Sequence, residues 1–207
     1  MVRTPLRLSL AVLAIAVSPA VASVAQADGV VGSITTSLIG GNCGTTSTVF
    51  ARWGDSHNYY LVPDGGFESG GTGWTLTDGA RVVEGNESFH VHAASDTSSL
   101  LVPRGGSATS PAICFGLLNP GVRLFATSSS GPASVHVQLI ARGLLGILSV
   151  LDGGSAPVGP AWAPTPVFST TFSQLNVPVG TKTIQLVITA TGNVQIDDLY
   201  IDPFTSH

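Results

Sequence analysis

The sequence predicts an all-β domain, an antiparallel β-sandwich of two sheets with jelly-roll connections. Three observations predict this fold: apolar and polar residues alternate in short segments, almost no window has helical periodicity, and Gly- and Pro-rich turns separate the segments. About ten short strands at such spacing are typical of a two-sheet sandwich. We therefore expect one domain whose core lies between two pleated layers.

The alternation places strands at 59–62, 74–77, 80–83, 89–93, 98–102, 122–127, 134–140, 147–151, 166–172, 182–189 and 194–201. Turns are predicted at 63–66, 78–79, 84–86, 104–106, 119–121, 152–154 and 179–180. In two strands the alternation also predicts which residues face the core. These are Val135, Val137 and Leu139 in one strand and Ile184, Leu186 and Ile188 in the other. The run 144–151 also fits a short buried helix, but Gly143 and Gly146 favour a hairpin turn.

Composition excludes several classes of protein. The chain has 207 residues, of which 43% are hydrophobic and 10% charged, with a net charge of −4. A chain of this length can bury a sizeable core in one domain without a metal or a partner, so we expect a monomer. The mild negative charge argues against a nucleic-acid binder, and the few charges argue against a charged interaction tail.

Residues 1–27 have the pattern of a secretory signal peptide. Arg3 and Arg7 precede the apolar segment 8–17, and Ala25-Gln26-Ala27 forms an A-x-A cleavage site. The alternative is an uncleaved membrane anchor, but the apolar segment is about half of the roughly 20 residues that span a bilayer. No later stretch is long and apolar enough to span a membrane, so we expect a secreted protein.

Export gives the two cysteines a simple interpretation. Cys43 and Cys114 are the only cysteines, and an exact pair in an oxidising compartment predicts one disulfide. This bond would tether a flexible leader, 28–48, to a sandwich domain at 49–207. A reactive thiol or a metal ligand is the alternative, but the paired C-x-x-C spacing of such sites is missing.

Three segments at characteristic spacing carry a resemblance to a known family. The first is 63–70, Pro-Asp-Gly-Gly-Phe-Glu-Ser-Gly, followed by Gly73-Trp74; the second is the loop 159–162, which ends at Trp162; the third is the closing strand 194–203. Together they resemble a secreted carbohydrate-binding module of the galactose-binding-like jelly-roll class, over about 60–204. A closer resemblance, around Cys43, 53–55 and Cys114, is to uncharacterised bacterial secreted proteins.

That resemblance implies a structural calcium ion where the Phe-Glu turn meets the last strand. Glu68 and Asp197 match those places, and Asp198 replaces Asp197 if the register differs by one. Calcium takes six to eight oxygen ligands, which carboxylates and loop carbonyls can supply. Strand alternation points one of the two adjacent aspartates to each face, so one must be paired or coordinated. The alternative is that Asp197 caps a turn or pairs with Arg81.

The segment 50–60 is the richest supply of groups for binding a sugar. A pyranose needs an aromatic face for its apolar side and polar groups for its hydroxyls. The candidate ligand-binding residues are Trp53, Asp55, His57, Tyr59 and, from another loop, Trp162. The alternative is that Trp53 and Tyr60 close one end of the sandwich, and that Trp74 and Trp162 pack in the core or at a sheet edge.

A second metal-binding pattern lies in 90–92, His-Val-His. Two imidazoles on one face of a strand can chelate a transition metal if His57 or Asp96 adds a third ligand. A polar outer strand face is the commoner explanation of two such histidines.

Catalytic signatures are missing from the sequence. No nucleophile elbow, zinc-protease, phosphate-loop, dinucleotide-binding or EF-hand motif occurs, and Glu84 and Glu87, a conceivable glycosidase pair, stand three apart in a Gly-Asn turn. We therefore expect a non-enzymatic domain that binds carbohydrate or cell-surface glycan. A structural or adhesive envelope protein is the alternative, and a small polysaccharide hydrolase or lyase is the third.

Overall fold

The computed structural model describes residues 44–113, 121–142, 148–169 and 183–202. The predicted signal peptide, Cys43 and Cys114 lie outside these ranges, so cleavage and the disulfide stay predictions. The end of the predicted leader is described and pairs with the domain. Ser47 and Tyr59 exchange two backbone hydrogen bonds, of 2.8 and 2.9 Å. No helix in the described ranges is long and apolar enough to cross a bilayer.

The described residues form a short 3₁₀ turn at Ala51–Trp53 and twelve strands. The strands are β1 Tyr60–Leu61, β2 Thr75–Thr77, β3 Arg81–Glu84, β4 Ser98–Val102, β5 Ser107–Thr109, β6 Gly121–Thr127, β7 Ala133–Arg142, β8 Leu148–Val158, β9 Ala163–Pro164, β10 Phe168–Ser169, β11 Thr183–Ala190 and β12 Val194–Asp202. The larger sheet has the order β10-β6-β12-β4-β3, with β1 beside β12 and β9 beside β6, and the smaller has the order β2-β5-β11-β7-β8. The predicted all-β sandwich of two antiparallel sheets is confirmed.

The core between the sheets follows the predicted alternation. All six residues predicted to face inward from β7 and β11 are at most 1% exposed. Phe67 and Trp74 join the same core with ring centroids 5.1 Å apart, and the Trp74 indole donates to the Pro63 carbonyl. The expectation that Trp74 is a packing residue is therefore confirmed.

Segment 89–93, predicted as a strand, is a loop instead. The Glu87 side chain is fully buried, and its carboxylate accepts hydrogen bonds from the backbone amides of Phe89 and Val91. Amides used in this way cannot join a strand ladder. The apolar–polar alternation of 89–93 was therefore misleading, because a side chain satisfies the backbone there.

The turn predicted at 152–154 is also wrong, because these residues continue β8. Val137 pairs with Gly154 and Gln138 with Asp152, so Gly153 is the extra residue of a β-bulge. A Cβ on Gly153 would lie 2.8 Å from the Val137 carbonyl oxygen, and glycine permits this close approach. Two short strands, β5 and β9, were not predicted.

The larger sheet is covered on both faces, and its outer face carries an aromatic layer. In β6, Val122, Leu124 and Ala126 belong to the core between the sheets, whereas Phe125 points the other way. The aromatic layer comprises buried Phe50, Tyr59, Phe125 and Tyr200, with Trp53, Phe89 and Trp162 packed against them. It therefore brings the 49–60 segment onto the sheet.

A second bulge, in β12, changes the orientation of the two adjacent aspartates. The pairing with β6 shifts register between Asp197 and Tyr200, and Asp198 has φ 47°. The core residues of β12 are Val194, Ile196, Leu199 and Ile201, so neither aspartate belongs to the core cluster. Both carboxylates bond to the 87–92 loop, Asp197 to the Glu87 amide and Asp198 to the His92 amide, so the bulge interrupts the alternation that predicted one carboxylate on each face.

Candidate functional site

A shallow groove of about 360 Å³ opens beside the aromatic layer. Its lining residues are Trp53, Gly54, Asp55, Ser56, His57, Arg123 and Val167. Most come from the segment after the 3₁₀ turn, which ends at Gly54 with φ 83° and so turns the chain along the sheet. We call this the Trp53 groove.

Trp53 is the aromatic wall of the groove and is held on several sides. Its half-buried indole packs edge-on against Phe89 and Phe125, each with ring centroids 5.2 Å from its own. The Arg52 guanidinium carbon lies 4.3 Å from the Trp53 ring centroid, a cation–π distance. These contacts fix the ring before any ligand arrives.

Asp55 is the anionic centre of the groove. Its Oδ2 accepts hydrogen bonds from the Tyr59 hydroxyl at 2.7 Å and from Arg123 Nη1 at 2.9 Å. Its Oδ1 accepts one from the His57 backbone amide at 3.1 Å and lies 2.8 Å from His57 Nδ1. Burial alone would raise the pKa of Asp55, but these bonds outweigh it and hold the pKa well below its usual range.

The partners of Asp55 are themselves fixed. Burial, together with the hydrogen bond to the Asp55 carboxylate and its charge, raises the pKa of Tyr59 far above its usual range, so its hydroxyl stays a donor. Arg123 is 8% exposed, donates from Nε to the Thr165 carbonyl, and stacks its guanidinium 4.4 Å from the Phe50 ring centroid. The groove thus presents one fixed anion and one fixed cation.

A second cluster, which we call the acid pocket, comprises Glu87, His92, Asp96, Asp197 and Asp198. The four carboxylates are each at most 7% exposed. Asp197 Oδ2 accepts from the Glu87 amide at 2.9 Å and Asp198 Oδ2 from the His92 amide at 3.1 Å, which ties the 87–92 loop to β12. Among the described residues, no salt bridge joins these carboxylates to a lysine or an arginine.

Burial and, to a smaller extent, neighbouring carboxylates raise the pKa values of Asp197 and Asp198 in this pocket. Burial, with the charges of Asp198 and Glu87, raises the pKa of Asp197 to about 8. Burial, followed by the charge of Glu87, raises the pKa of Asp198 to about 7. An additional cation would relieve both effects.

Comparison with known proteins bears on the fold. No family model and no curated protein matches the chain. The chain is similar to a solved structure of the family 22 carbohydrate-binding module and GH10 modules of Clostridium thermocellum xylanase 10B, complexed with xylohexaose. The identity is 16% and the TM-score 0.50, and the match covers 69% of this chain and 28% of that one. The chain has a jelly-roll fold.

Two single modules are similar over nearly their whole length. The family 22 xylan-binding domain of Paenibacillus barcinonensis Xyn10C has 15% identity and TM-score 0.47, over 72% of this chain and 94% of that one. A family 61 module in complex with β-1,4-galactotriose has 13% identity and TM-score 0.45, over 69% of this chain and 97% of that one. The xylanase 10B match confirms the jelly-roll resemblance of the sequence for the fold alone.

The predicted ligand-binding residues divide into three groups. Trp53, Asp55 and His57 line the groove together. Tyr59 is fully buried, so it cannot contact a ligand, because its hydroxyl and ring are used to fix Asp55 and the aromatic layer. Trp162 is half-buried against that layer and is not part of the described groove lining.

Each of the three predicted calcium ligands accepts hydrogen bonds from backbone amides. Glu68 is exposed, and its Oε1 accepts hydrogen bonds from the amides of Thr97 and Ser98, at 2.9 and 2.7 Å. Both oxygens of Asp197 accept backbone amides, and Arg81 donates to Gly79 rather than to Asp197. Calcium at these three residues stays a prediction.

Sequence reasoning missed Arg123 as a groove residue. Arg123 alternates with apolar residues in β6, and this was the available signal: a charged residue inside a strand that is buried at every position. Such a residue must be paired, and its partner Asp55 lies 68 residues earlier in the chain. Local patterns do not reveal pairing at that separation.

Proposed function

We propose that the chain is a secreted, non-catalytic binding domain that holds a carbohydrate in the Trp53 groove. Secretion rests on the signal-peptide pattern of 1–27. The carbohydrate class rests on one observation: the groove combines a fixed indole with a fixed ion pair. An indole offers apolar surface to the C–H face of a pyranose, and charged or polar groups bond its hydroxyls.

The polar groups of the groove are arranged for hydroxyls rather than for a charged ligand. Asp55 and Arg123 neutralise each other at 2.9 Å, and the Ser56 and His57 side chains add further hydrogen-bonding groups. The groove is open, and its volume of about 360 Å³ suits one or two sugar rings of a longer chain. A polysaccharide can therefore pass across it.

Catalysis is not part of the proposal because the groove lacks an acid–base pair. Glycoside hydrolysis uses two carboxyl groups, one of them protonated, whereas Asp55 is the one carboxylate of the described lining and its lowered pKa keeps it ionised. Glu84 is exposed on β3, and the Glu87 carboxylate is buried against loop amides. These two glutamates do not share the groove.

The test is calorimetric titration of the purified protein with xylohexaose and β-1,4-galactotriose, together with pull-down on insoluble plant and bacterial polysaccharides. Trp53→Ala is expected to weaken binding at least about tenfold, because it removes the aromatic wall. Trp162→Ala is the matched control, since it truncates another half-buried tryptophan of the aromatic layer outside the groove lining. It should retain wild-type affinity.

Two results would overturn the proposal. One is a folded protein that binds none of these carbohydrates. That result would favour the alternative interpretation, a structural or adhesive envelope protein. The other is equal loss of affinity in both tryptophan variants, which would mean that the groove itself is not the site.

A further inference from the structure

Three side chains of the acid pocket bring their ligand atoms together. His92 Nδ1, one carboxylate oxygen of Asp96 and one of Asp198 all lie within 4.8 Å of one another. His92 Nδ1 and Asp96 Oδ2 are 2.7 Å apart. In a tetrahedral site with bonds near 2.0–2.1 Å, ligand atoms lie about 3.4 Å apart, so small side-chain shifts would complete this geometry.

One oxygen of this group is buried without a hydrogen-bond partner and borders the position that a Gly66 side chain would occupy. Asp198 is 1% exposed, and its Oδ1 has no hydrogen-bond partner, although its Oδ2 accepts from the His92 amide. A Cβ on Gly66 would lie 3.2 Å from Asp198 Oδ1 and 3.6 Å from His92 Nδ1. The missing side chain of Gly66 therefore leaves a space that these two ligand atoms border. A buried, unpaired carboxylate oxygen is costly unless something binds it.

We propose that His92, Asp96 and Asp198 bind a divalent transition-metal ion of the zinc type in the space beside Gly66. The imidazole decides the class of metal, because calcium and magnesium take oxygen ligands, whereas zinc accepts histidine nitrogen together with carboxylate oxygen. Three protein ligands leave a fourth position for water. The His92 side chain is 42% exposed, so that position has access to solvent.

The surrounding residues position these ligands. The Glu87 carboxylate holds the amides of Phe89 and Val91, and Asp197 holds the Glu87 amide, so the loop that carries His92 is fixed against β12. Residues of this second layer orient metal ligands in known sites. His90, by contrast, lies near Asn86, with 3.4 Å between its Nδ1 and Asn86 Nδ2, and is not part of the converging group.

The test measures metal binding to the full chain after removal of metals with a chelator. Zn²⁺ alone is added during thermal unfolding and calorimetric titration, and Co²⁺ alone serves as a spectroscopic probe of a tetrahedral site. At about a hundredfold excess over Kd, Zn²⁺ should raise Tm by about 5–10 °C. Co²⁺ should produce the visible d–d absorption of tetrahedral coordination.

Matched variants locate the ion. His92→Ala removes an exposed ligand and should weaken Zn²⁺ binding at least about tenfold, whereas His90→Ala, two residues away, should not change it. Gly66→Ala should weaken binding similarly, because its Cβ fills the bordered space, and the control Gly159→Ala adds a Cβ that meets nothing within 4 Å. Neither glycine has the left-handed φ that would make alanine strained.

Several outcomes would overturn this inference: no metal-dependent change in Tm, stabilisation by Ca²⁺ but not by Zn²⁺, equal losses in the two histidine variants, or unchanged binding in Gly66→Ala. A calcium-only result would instead support the ion predicted from the sequence. Carbohydrate binding is read out separately at Trp53, so failure of the metal site leaves the proposed function to be judged on its own test.

Discussion

Arg123 Nη1 lies 2.9 Å from Asp55 Oδ2, and this ion pair joins the rim of the groove to the centre of the larger sheet. The Arg123 and Asp55 side chains are 9% and 12% exposed, so water screens them weakly. Each also has further hydrogen bonds, which a buried ion pair needs if it is not to cost stability. The ion pair that forms part of the groove therefore also holds the groove segment to the sheet.

Asp55→Asn should destabilise the fold at neutral pH by about 3 kcal/mol, because it leaves the buried Arg123 charge without its partner. The measurement is the midpoint of urea unfolding at pH 7. Arg142→Gln is a suitable control, since Arg142 is exposed at the end of β7. A loss below about 0.5 kcal/mol for Asp55→Asn would mean that the pair is not a stabilising contact.

The same ion pair predicts how stability depends on pH. Hydrogen bonds from Tyr59, His57 and Arg123 lower the pKa of Asp55 in the folded state below its unfolded value of about 3.9. Its contribution is therefore complete above about pH 4 and is lost as pH falls through the folded pKa. The difference in unfolding free energy between wild type and Asp55→Asn should shrink as the pH falls from about 4 to about 2. A constant difference over this interval would contradict the assignment.

Much of the fold was predictable from the sequence because the core strands are long and alternate regularly. Val135, Val137 and Leu139 have the period of two that a half-covered strand requires. The failures occur where side chains or bulges replace regular pairing: the Glu87 carboxylate holds the amides of Phe89 and Val91, and Gly153 is the extra residue of a bulge. A single residue determines the structure in each place, and the apolar–polar alternation of a whole segment does not reveal it.

The candidate sites were predictable only in part, for a related reason. Trp53, Asp55 and His57 are close in sequence, so one rich segment revealed them. The His92 backbone amide donates to the Asp198 carboxylate across 106 positions, and the bulge at Asp198 has no clear local signal. Contacts at such separations depend on the tertiary fold.

Tyr59→Phe should cost about 1 kcal/mol, because it removes the hydroxyl that donates to Asp55 at 2.7 Å while keeping the ring in the aromatic layer. A double-mutant cycle with Asp55→Asn measures their coupling by urea unfolding. We expect a coupling free energy of at least about 0.5 kcal/mol, as is typical of residues in one network. Additive effects would show that the two side chains act independently.

Gly65→Ala should destabilise the fold by about 1–3 kcal/mol, because its Cβ would lie 2.8 Å from the Leu199 carbonyl oxygen and 2.9 Å from that of Val62. Both oxygens belong to the backbone, so relief requires the turn to separate from β12. Gly159→Ala, whose Cβ meets nothing within 4 Å, is the control and should be nearly neutral. Equal thermal midpoints for the two variants would contradict the close approach of the turn.

Phe50→Ala should cost about 3–5 kcal/mol, because Phe50 is fully buried at the centre of the aromatic layer, with ring centroids 5.0 Å from Tyr59 and 5.6 Å from Phe125. Its ring centroid also lies 6.2 Å from that of Trp53, so its loss should loosen the groove wall and weaken any carbohydrate binding. Unfolding by urea gives the stability, and titration of the folded variant gives the affinity. Leu148→Ala, at a side chain 51% exposed on β8, is the control and should change stability by less than about 0.5 kcal/mol. If Phe50→Ala were equally mild, the layer would not be packed as a second core, and the rigidity of the Trp53 groove would need another cause.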